Sequence, residues 1–597
     1  MKSPLFSRRN FLKTSAAFSV AAAAPMGLNQ ASPLQDGTPP RTTRELNSDV
    51  LVIGGSLGGV SSALAAARMG RSVLLTEETA WIGGQATTQG VPLDEHPWME
   101  DYGRTQSYAD FRDGVRGYYR GNYPLIEAAR RDPTLNPGAG WVSKLCFEPR
   151  VGLAVLKAML APHLSAGRIK LLTRHCPVAV AMEGDYARSV TVLDTINNVR
   201  RTLSAAYIID ATELGDLLEL GDIESVIGAE SQDETGEPLA VDGPAQPREQ
   251  MVFTHVFAVD ILPGEDHIID KPRDYDFWLN AKSHRGDFPK FTLPDLMGAN
   301  HDHFLRPIRP DLYRTSTWSF RRMLCKDNFA SGAFPSDVTV AIWPANEYNL
   351  GVLCGVTPEE RSKHLDAARQ LSLSTLYWLQ TEAPNPGTGG QGYPGLRARG
   401  DFLGTDDGLA QMPYIRESRR IKAEFTVLEQ HFRTDIPGNE LGPVLYSDSV
   451  GLSGYRIDIH KPTAPGKPSI TEVNHGKHWL QQIPLGALIP VRVENLLPAC
   501  KNLGVTHVTN GAFRVHPTEW NIGESAGALA AFCLQRDLRP RQVRNTTNLL
   551  ADYQRELVRQ GVELTWPRME TSRSHYSHHN LELKDADTFY FGEAWRL

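Results

Sequence analysis

The feature that most constrains the fold is a strand–turn–helix–strand pattern near the N-terminus. Asp49–Ile53 is a continuous apolar, β-branched run, which predicts a buried parallel strand. Gly54–Gly59 follows at once, and the alanine-rich stretch Val60–Met69 predicts a helix. A second strand is predicted over Ser72–Thr76, with Glu77 at its end. This order is the one that a dinucleotide-binding unit requires, and it predicts an α/β fold.

Each part of this unit has a physical role in holding a dinucleotide. Gly54 permits the tight turn, and Gly59 lets the helix pack closely on the strand. The free N–H groups at the helix N-terminus attract a diphosphate, and the terminal carboxylate accepts hydrogen bonds from ribose hydroxyls. The middle glycine of the usual G-x-G-x-x-G pattern is Ser56 here, whose side chain narrows the space for a phosphate. The predicted cofactor-binding residues from this unit are Gly54, Gly55, Ser56, Gly58, Gly59 and Glu77.

A second literal match to the glycine pattern lies at Gly390–Gly395. It follows Pro384 and Pro386 rather than a strand, and Pro394 stands where a helix would begin. We therefore interpret it as a loop, with no second nucleotide site.

Later motifs resemble those of a known family. Gly83 and Gly84 match the Gly-Gly loop that follows the ribose-binding acid in the FAD-dependent oxidoreductases of the two-dinucleotide-binding-domain class. Ala211 and Thr212 match the strand end that closes their FAD domain, although Glu213 replaces the usual glycine. The chain thus resembles the bacterial branch of these flavoproteins. The resemblance implies FAD as the cofactor and adds these four matching residues to the predicted cofactor-binding set.

The strongest resemblance is C-terminal. Ile483–Ala499, Thr506–Thr518 and Gly523–Ala530 match the segment that, in the family, returns to the FAD domain and covers the flavin. This implies a discontinuous Rossmann-like FAD-binding domain, with Asn510 and Gly523 as further cofactor-binding residues. Weaker resemblances lie at Trp343–Tyr348, Tyr377–Glu382, Arg416–Arg420 and Tyr455–His460.

The resemblance also sets the expected organisation of the 597 residues, which are too many for one compact core. We expect the FAD-binding domain over residues 47–220 and 411–535. A mixed α+β substrate or cap region is expected as an insert over 221–410. A tail over 541–597 starts with a predicted helix from Asn548 to Gln560.

The first 31 residues predict an export signal. Ser7–Lys13 reads Ser-Arg-Arg-Asn-Phe-Leu-Lys, and a short apolar run follows to Ala24. The paired arginines resemble a twin-arginine signal, which carries folded proteins out of bacteria. We therefore expect the twin-arginine translocase as a transient partner and a periplasmic or secreted location. The apolar run is shorter than the roughly 20 residues that cross a bilayer, so no stable membrane insertion is expected.

Charge and cysteine spacing narrow the function further. The formal net charge is −7, and an acidic protein is a poor nucleic-acid partner. None of the six cysteines stands in a C-x-x-C pair, which disfavours a local zinc or iron–sulfur site and a dithiol centre. We predict no metal site.

The catalytic candidates lie in the segment expected to cover the flavin. Hydride leaves carbon for flavin N5 while a base removes a proton, and histidine suits that transfer near neutral pH. The candidates for proton transfer are His507 and His516, and Arg514 is a candidate for holding a carboxylate substrate or reduced flavin. Arg416, Arg419 and Arg420 instead suggest the charged face of a helix running to His431.

Three functions fit the sequence. The first is a dehydrogenase or oxidase acting on a small polar molecule, a sugar or a hydroxy acid, with an unknown electron acceptor. The second is an electron-transfer subunit that works with a separate redox partner. The third is an exported carbohydrate-processing protein with a vestigial flavin fold.

Overall fold

The computed structural model describes residues 41–42, 45–292, 317–385, 387–437, 443–460, 473–475 and 478–566. The predicted signal over 1–31 and the end of the predicted tail lie outside them. The helices are α1 Leu57–Arg68, α2 Gln106–Asn122, α3 Glu127–Arg131, α4 Pro149–Ser165, α5 Asp216–Leu220, α6 Gln232–Thr235, α7 Tyr275–Leu279, α8 Thr317–Phe320, α9 Pro358–Thr381, α10 Gly400–Leu403, α11 His507–Phe513, α12 His516–Arg536, α13 Pro540–Asn545 and α14 Thr547–Arg559.

The strands, in chain order, are β1 Arg41–Thr42, β2 Leu46–Ile53, β3 Val73–Glu77, β4 Ile169–Thr173, β5 His175–Glu183, β6 Tyr186–Asp194, β7 Val199–Asp210, β8 Ser225–Val226, β9 Phe253–Thr254, β10 Phe257–Ile261, β11 Arg322–Leu324, β12 Val338–Ala341, β13 Glu347–Tyr348, β14 Pro384–Asn385, β15 Gly390–Gln391, β16 Leu396–Ala398, β17 Arg420–Ile421, β18 Ser449–Ser453, β19 Ile457–Ile459, β20 Val473–His475, β21 Gln481–Pro484 and β22 Leu496–Pro498.

The largest sheet carries the predicted nucleotide-binding unit. Its order is β4-β3-β2-β7-β6-β5, and β2 pairs in parallel with both β3 and β7. The strand β22, from near the C-terminus, also pairs in parallel with β7, through Leu496 and Ile208. Val50–Ile53 of β2 are fully buried, as a strand covered on both faces requires. The predicted α/β class with a Rossmann-like sheet is confirmed.

The two ends of the chain meet where α1 crosses α12. A Cβ atom at Gly523 would lie 2.0 Å from the carbonyl oxygen of Gly58, and one at Gly527 would lie 2.2 Å from that of Ser62. Ser62 Oγ donates to the carbonyl of Gly523 at 2.7 Å. The two helix backbones therefore touch directly, and only glycine fits at these crossing points.

A second, antiparallel sheet follows in the middle of the chain, with the order β11-β12-β10-β16. Phe257 of β10 packs edge-on against Trp343 at 5.7 Å between ring centroids. Both rings belong to a separate apolar core that also takes in Leu371 and Trp378 of α9. This sheet and helix give the middle region its mixed α+β character.

Two differences between the predicted and the observed elements bear on the site. Helix α1 begins at Leu57 rather than Val60, because the Ser56 side chain caps its first turn. The predicted charged helix from Arg416 is wrong, since the segment forms β17 and a short 3₁₀ turn at Glu429–His431. Its three arginines are buried, with exposures of 1 % for Arg416, 3 % for Arg419 and 0 % for Arg420. Buried guanidinium groups need ion-pair partners, and a helix surface would not supply them.

The rejected glycine pattern begins in β15, which pairs with β14 in a short hairpin, and no helix begins within Gly390–Gly395. No helix among the described residues is both long and apolar enough to cross a membrane.

Candidate cofactor and substrate site

The turn after β2 has the backbone geometry of a dinucleotide site. Gly54 has a φ of 101°, and a Cβ atom there would lie 2.2 Å from the carbonyl oxygen of Ala211. The N–H of Gly55 donates to Glu77 Oε2 at 2.9 Å. Ser56 Oγ accepts the N–H of Gly59 at 3.2 Å, so this hydroxyl is used as a helix cap. The turn thus holds the carboxylate of Glu77, the last residue of β3, beside the N-terminus of α1.

A cleft that is open to solvent lies at this turn. It is lined by the predicted cofactor residues Gly54, Ser56, Glu77, Gly84, Ala211 and Thr212, together with Glu78, Thr88, His175, Pro177, Glu213, Asp216 and Met412. Burial raises the pKa of Glu77 to about 6, against hydrogen bonds from Thr79 and Gly55 that lower it. The backbone N–H groups of Gly55 and Thr79 both donate to this carboxyl and fix its orientation, and a carboxyl at this place suits the ribose hydroxyls.

The Gly-Gly loop forms the next wall of the cleft. Gly83 has a φ of 110° and donates its N–H to the carbonyl of Gly55 at 2.6 Å. A Cβ atom at Gly84 would lie 3.0 Å from the Cα of Ser56. These two glycines therefore bring the loop against the turn, and Gly84 lines the cleft.

A buried charge cluster, which the sequence did not predict, lies behind the N-terminus of α1. Lys501 is fully buried and pairs with Glu213, the residue at the family's glycine position. Its Nζ also lies 3.7 Å from Glu519 Oε2 and 3.2 Å from Cys500 Sγ. Glu519 Oε1 accepts the N–H of Gly58 at 3.2 Å. Ligand atoms of Glu213, Cys500 and Glu519 lie within 4.8 Å of one another, and Lys501 supplies the positive charge among them.

The predicted base His507 is fully buried at the start of α11. Its Nδ1 lies 2.9 Å from Glu417 Oε1, while its backbone N–H donates to Glu230 Oε2 at 2.9 Å. Burial lowers the pKa of His507, but the Glu417 carboxylate more than reverses this, so the pKa is raised overall. Its Nε2 has no hydrogen-bond partner among the described residues. The imidazole is therefore oriented by a carboxylate and leaves one ring nitrogen for proton transfer.

His516 has a different environment at the start of α12. Its Nδ1 accepts the backbone N–H of Asp94 at 3.1 Å. Burial lowers its pKa, against the nearby carboxylate of Asp94, which raises it. Because Nδ1 is an acceptor, the neutral ring carries its proton on Nε2. His516 is thus a hydrogen-bond donor at that atom, whereas His507 offers an acceptor.

The third catalytic candidate, Arg514, is 2 % exposed. It donates to Tyr414 Oη at 2.6 Å and to Asp458 Oδ2 at 2.9 Å. Its carbonyl accepts Gln85 Nε2 at 3.0 Å, which ties it to the Gly-Gly loop. Asn510 donates to the carbonyl of Arg416 at 2.9 Å, and its Oδ1 has no partner among the described residues.

Several polar residues in this neighbourhood were not predicted as site residues. They are Glu347, Tyr414, Asp458, His460 and Lys501. Most of them lie in or beside the short segments noted above as weak resemblances. No local pattern marks them, because each depends on partners distant in the sequence.

The comparisons with known proteins bear on the fold and the family. A family model described as "FAD dependent oxidoreductase" matches residues 49–557. No curated protein matches the chain. Solved structures are similar at low identity. L-proline dehydrogenase from P. horikoshii is 15% identical, over 34% of this chain and 28% of that one, with a TM-score of 0.16. The chain therefore spans under a third of that protein's length.

Two further structures cover more of the chain. The anhydrotetracycline hydroxylase OxyS from Streptomyces rimosus is 13% identical, over 86% of this chain and 68% of that one, with a TM-score of 0.29. The myxobacterial chondrochloren halogenase CndH is 13% identical, over 87% and 80%, with a TM-score of 0.30.

Proposed function

This chain belongs to the FAD dependent oxidoreductase family, and we propose from this premise that it is a dehydrogenase or oxidase of a small polar substrate. The substrate class is a sugar or a hydroxy acid. The observation that carries the proposal is the cleft at the Gly54 turn, where Glu77 and the N-terminus of α1 lie side by side.

The residues of this cleft fit FAD. The Glu77 carboxylate would accept the adenosine ribose hydroxyls, and the α1 N-terminus would attract the diphosphate. Gly84 lines the same cleft, where a Cβ atom would lie 2.5 Å from Glu213 Oε1 and 3.0 Å from the Cα of Ser56. When bound, FAD supplies a hydride acceptor.

The chain's own contribution to the reaction is proton transfer. His507 Nε2 is buried, has no partner among the described residues, and belongs to a ring oriented by Glu417. It would take the substrate's hydroxyl proton as carbon gives up hydride. His516, with its proton on Nε2, would donate a hydrogen bond to the substrate or the cofactor. Because the pKa of His507 is raised, the base form is favoured at alkaline pH.

The proposal extends to location. The twin-arginine-like run from Ser7 to Lys13 supports export of the folded protein to the periplasm or beyond. The test is cell fractionation of a bacterium expressing the full chain, beside a variant with Arg8→Lys and Arg9→Lys. Export of the unchanged chain only would support the proposal, and equal export of both chains would contradict it.

The central experiment is the visible spectrum of the purified protein, repeated without oxygen after addition of sugars and hydroxy acids. A flavin spectrum that bleaches with one compound establishes the reaction and its substrate class. A colourless protein that cannot be reconstituted with FAD contradicts the proposal. A flavin that no compound reduces, but that exchanges electrons with a co-purifying redox protein, would favour an electron-transfer subunit instead.

A further inference from the structure

Two buried guanidinium groups share one tyrosine near the cleft. The Arg416 guanidinium carbon lies 4.5 Å from the centroid of the Tyr414 ring. Arg514 donates to the hydroxyl of the same tyrosine at 2.6 Å. Arg416 is 1 % exposed and Arg514 2 % exposed. Two permanent positive charges are thus held together away from water.

Two carboxylates partly balance them. Glu347 Oε1 accepts Arg416 Nη2 at 3.0 Å and lies 2.6 Å from His460 Nδ1. Asp458 Oδ2 accepts Arg514 Nη2 at 2.9 Å and lies 3.5 Å from His460 Nε2. One histidine therefore bridges the two ion pairs and joins them into a single cluster.

The cluster holds more positive than negative charge. Burial and Arg416 lower the pKa of His460, yet Glu347 and Asp458 raise it overall. The Arg456 side chain lies 3.6 Å from Asp458. Burial lowers the pKa of a further neighbour, His284, to about 4, so that ring is neutral. Without counting His460, the cluster holds three arginines, Arg416, Arg456 and Arg514, against two carboxylates, Glu347 and Asp458.

The other charged groups that act on the cluster from the described residues do not reverse this excess. Asp94 is the further carboxylate that acts on Arg514. On the other side, the buried Lys290 donates to the carbonyl of Glu347 at 3.1 Å, and Arg321 acts on Arg416 as a like charge. A buried excess of positive charge is costly, and an anionic ligand would offset it.

The cluster also contains two N–H donors that no described residue accepts. The Nε atoms of Arg416 and Arg514 are buried and have no hydrogen-bond partner in the described parts of the chain. Guanidinium N–H groups at such positions match the two oxygens of a carboxylate. Both charge and hydrogen bonding therefore leave a place for an anion.

The cluster lies next to the cleft. The N–H of Ile415 donates to Gln89 Oε1 at 3.2 Å, and the carbonyl of Arg514 accepts Gln85 Nε2 at 3.0 Å. Gln85 follows Gly84, and Met412, four residues before Arg416, lines the same cleft. Arg514 and Ile415, the residue before Arg416, are thus each joined by a backbone hydrogen bond to a glutamine that follows the Gly-Gly loop.

We propose that Arg416 and Arg514 bind the carboxylate of the substrate, which makes the substrate a hydroxy acid, including a sugar acid, rather than a neutral sugar. The inference rests on the proposed function. The carboxylate would be unchanged in the reaction: the carbinol carbon would give up hydride, for which bound FAD supplies the acceptor, the hydroxyl would lose its proton to a base, and the corresponding oxo acid would result.

The first test compares matched ligands on the FAD-loaded protein. Glycolate is paired with ethylene glycol, and galacturonate with galactose, and each dissociation constant is read from the change in the flavin spectrum. At least one acid is expected to bind on the order of tenfold tighter than its neutral partner, as charge-assisted hydrogen bonds imply. Equal or weaker binding of both acids would overturn the proposal.

Variants test the residues. Arg416→Met and Arg514→Met should each weaken binding of the preferred acid by roughly tenfold or more. Asp458→Asn removes a negative charge that partly neutralises Arg514 and should therefore tighten binding of the preferred acid. Arg544→Met, which breaks a distant pair with Glu424 and Asp448, is the matched control and should leave binding unchanged. If the methionine variants do not fold, the affinity of the Asp458→Asn protein for the acid decides: tighter binding supports the proposal, and unchanged or weaker binding overturns it.

The outcomes separate the two proposals. If the protein binds no FAD, the proposed function fails. If FAD binds and only neutral sugars bleach it, the proposed function stands and the carboxylate site is wrong. If the arginine variants shift the flavin reduction potential but leave acid binding unchanged, the cluster serves the cofactor and this inference is overturned.

Discussion

The backbone N–H of Gly58 donates to Glu519 Oε1 at 3.2 Å, joining the first turn of α1 to the first turn of α12 across 461 residues. The carboxylate thus reaches the end of α1 that attracts negative charge. Lys501 stands beside it and offsets part of that charge. The site expected to hold the FAD diphosphate is therefore built from both ends of the chain.

The crossing of α1 and α12 should tolerate no side chain. Gly523→Ala would place a Cβ atom 2.0 Å from the carbonyl oxygen of Gly58 and is expected to cost about 1–3 kcal/mol of unfolding free energy. Gly117→Ala, on an exposed face of α2 with nothing within 4 Å, is the matched control and should be neutral or stabilising. Denaturant unfolding measures both, and equal midpoints would contradict the close crossing.

Ser56 should act mainly as a helix cap. Ser56→Ala removes the acceptor for the Gly59 N–H and is expected to cost about 0.5–2 kcal/mol. Ser56→Gly, which restores the middle glycine of the pattern, should cost only a few tenths, about 0.3 kcal/mol. Unfolding midpoints of the two variants check this, and an unchanged Ser56→Ala protein would show that the cap contributes nothing.

Glu77 should control cofactor affinity. Glu77→Gln removes the charge that would accept the ribose hydroxyls and is expected to weaken FAD binding roughly ten- to hundredfold. Quenching of FAD fluorescence during titration of the apoprotein measures this. Glu127→Gln changes an exposed carboxylate on α3 and is the control. Equal FAD affinity of the two variants would show that Glu77 does not bind FAD.

The pH dependence of flavin reduction should follow His507. The Glu417 carboxylate holds the pKa of His507 up against its burial, so Glu417→Gln is expected to lower that pKa. The limb of the pH profile on which reduction becomes faster should then move to lower pH. Stopped-flow reduction by the substrate found in the panel gives the profile, and an unmoved limb would show that His507 is not the base.

Glu237 should make stability depend on pH. Burial raises its pKa to about 8, from 4.5, while hydrogen bonds from Glu429 and Thr506 lower it. The folded protein therefore retains this proton while the unfolded chain loses it, so stability falls as pH rises from about 4.5 to about 8. Glu237→Gln removes the effect. The midpoint difference between variant and parent should grow across that window, and a constant difference would contradict the assignment.

The sequence predicted the parts of the site that depend on neighbouring residues. The Gly54 turn, the α1 helix and Glu77 follow from strand periodicity and glycine spacing, so they could be found without any tertiary contact. The start of α1 was predicted three residues too late, because Ser56 was not recognised as the cap of the helix.

The charge clusters could not be predicted in this way. Arg416 pairs with Glu347, 69 residues away, and that carboxylate contacts His460, a further 113 residues on. Closely spaced arginines usually lie on an exposed helix face, whereas Arg416, Arg419 and Arg420 are buried in the structure. Lys501 likewise forms an ion pair with Glu213, which is 288 residues away, and no local pattern predicts this pair.

The contact between Gly58 and Gly523 has a consequence for biosynthesis. Helix α12 can pack against α1 only after nearly the whole chain has been synthesised. Until then, the glycine turn of the N-terminal unit stays exposed. Such long-range closure slows folding. Cofactor capture should therefore be a late event that follows translation, and a chain truncated before α12 would leave an N-terminal fragment unable to retain FAD.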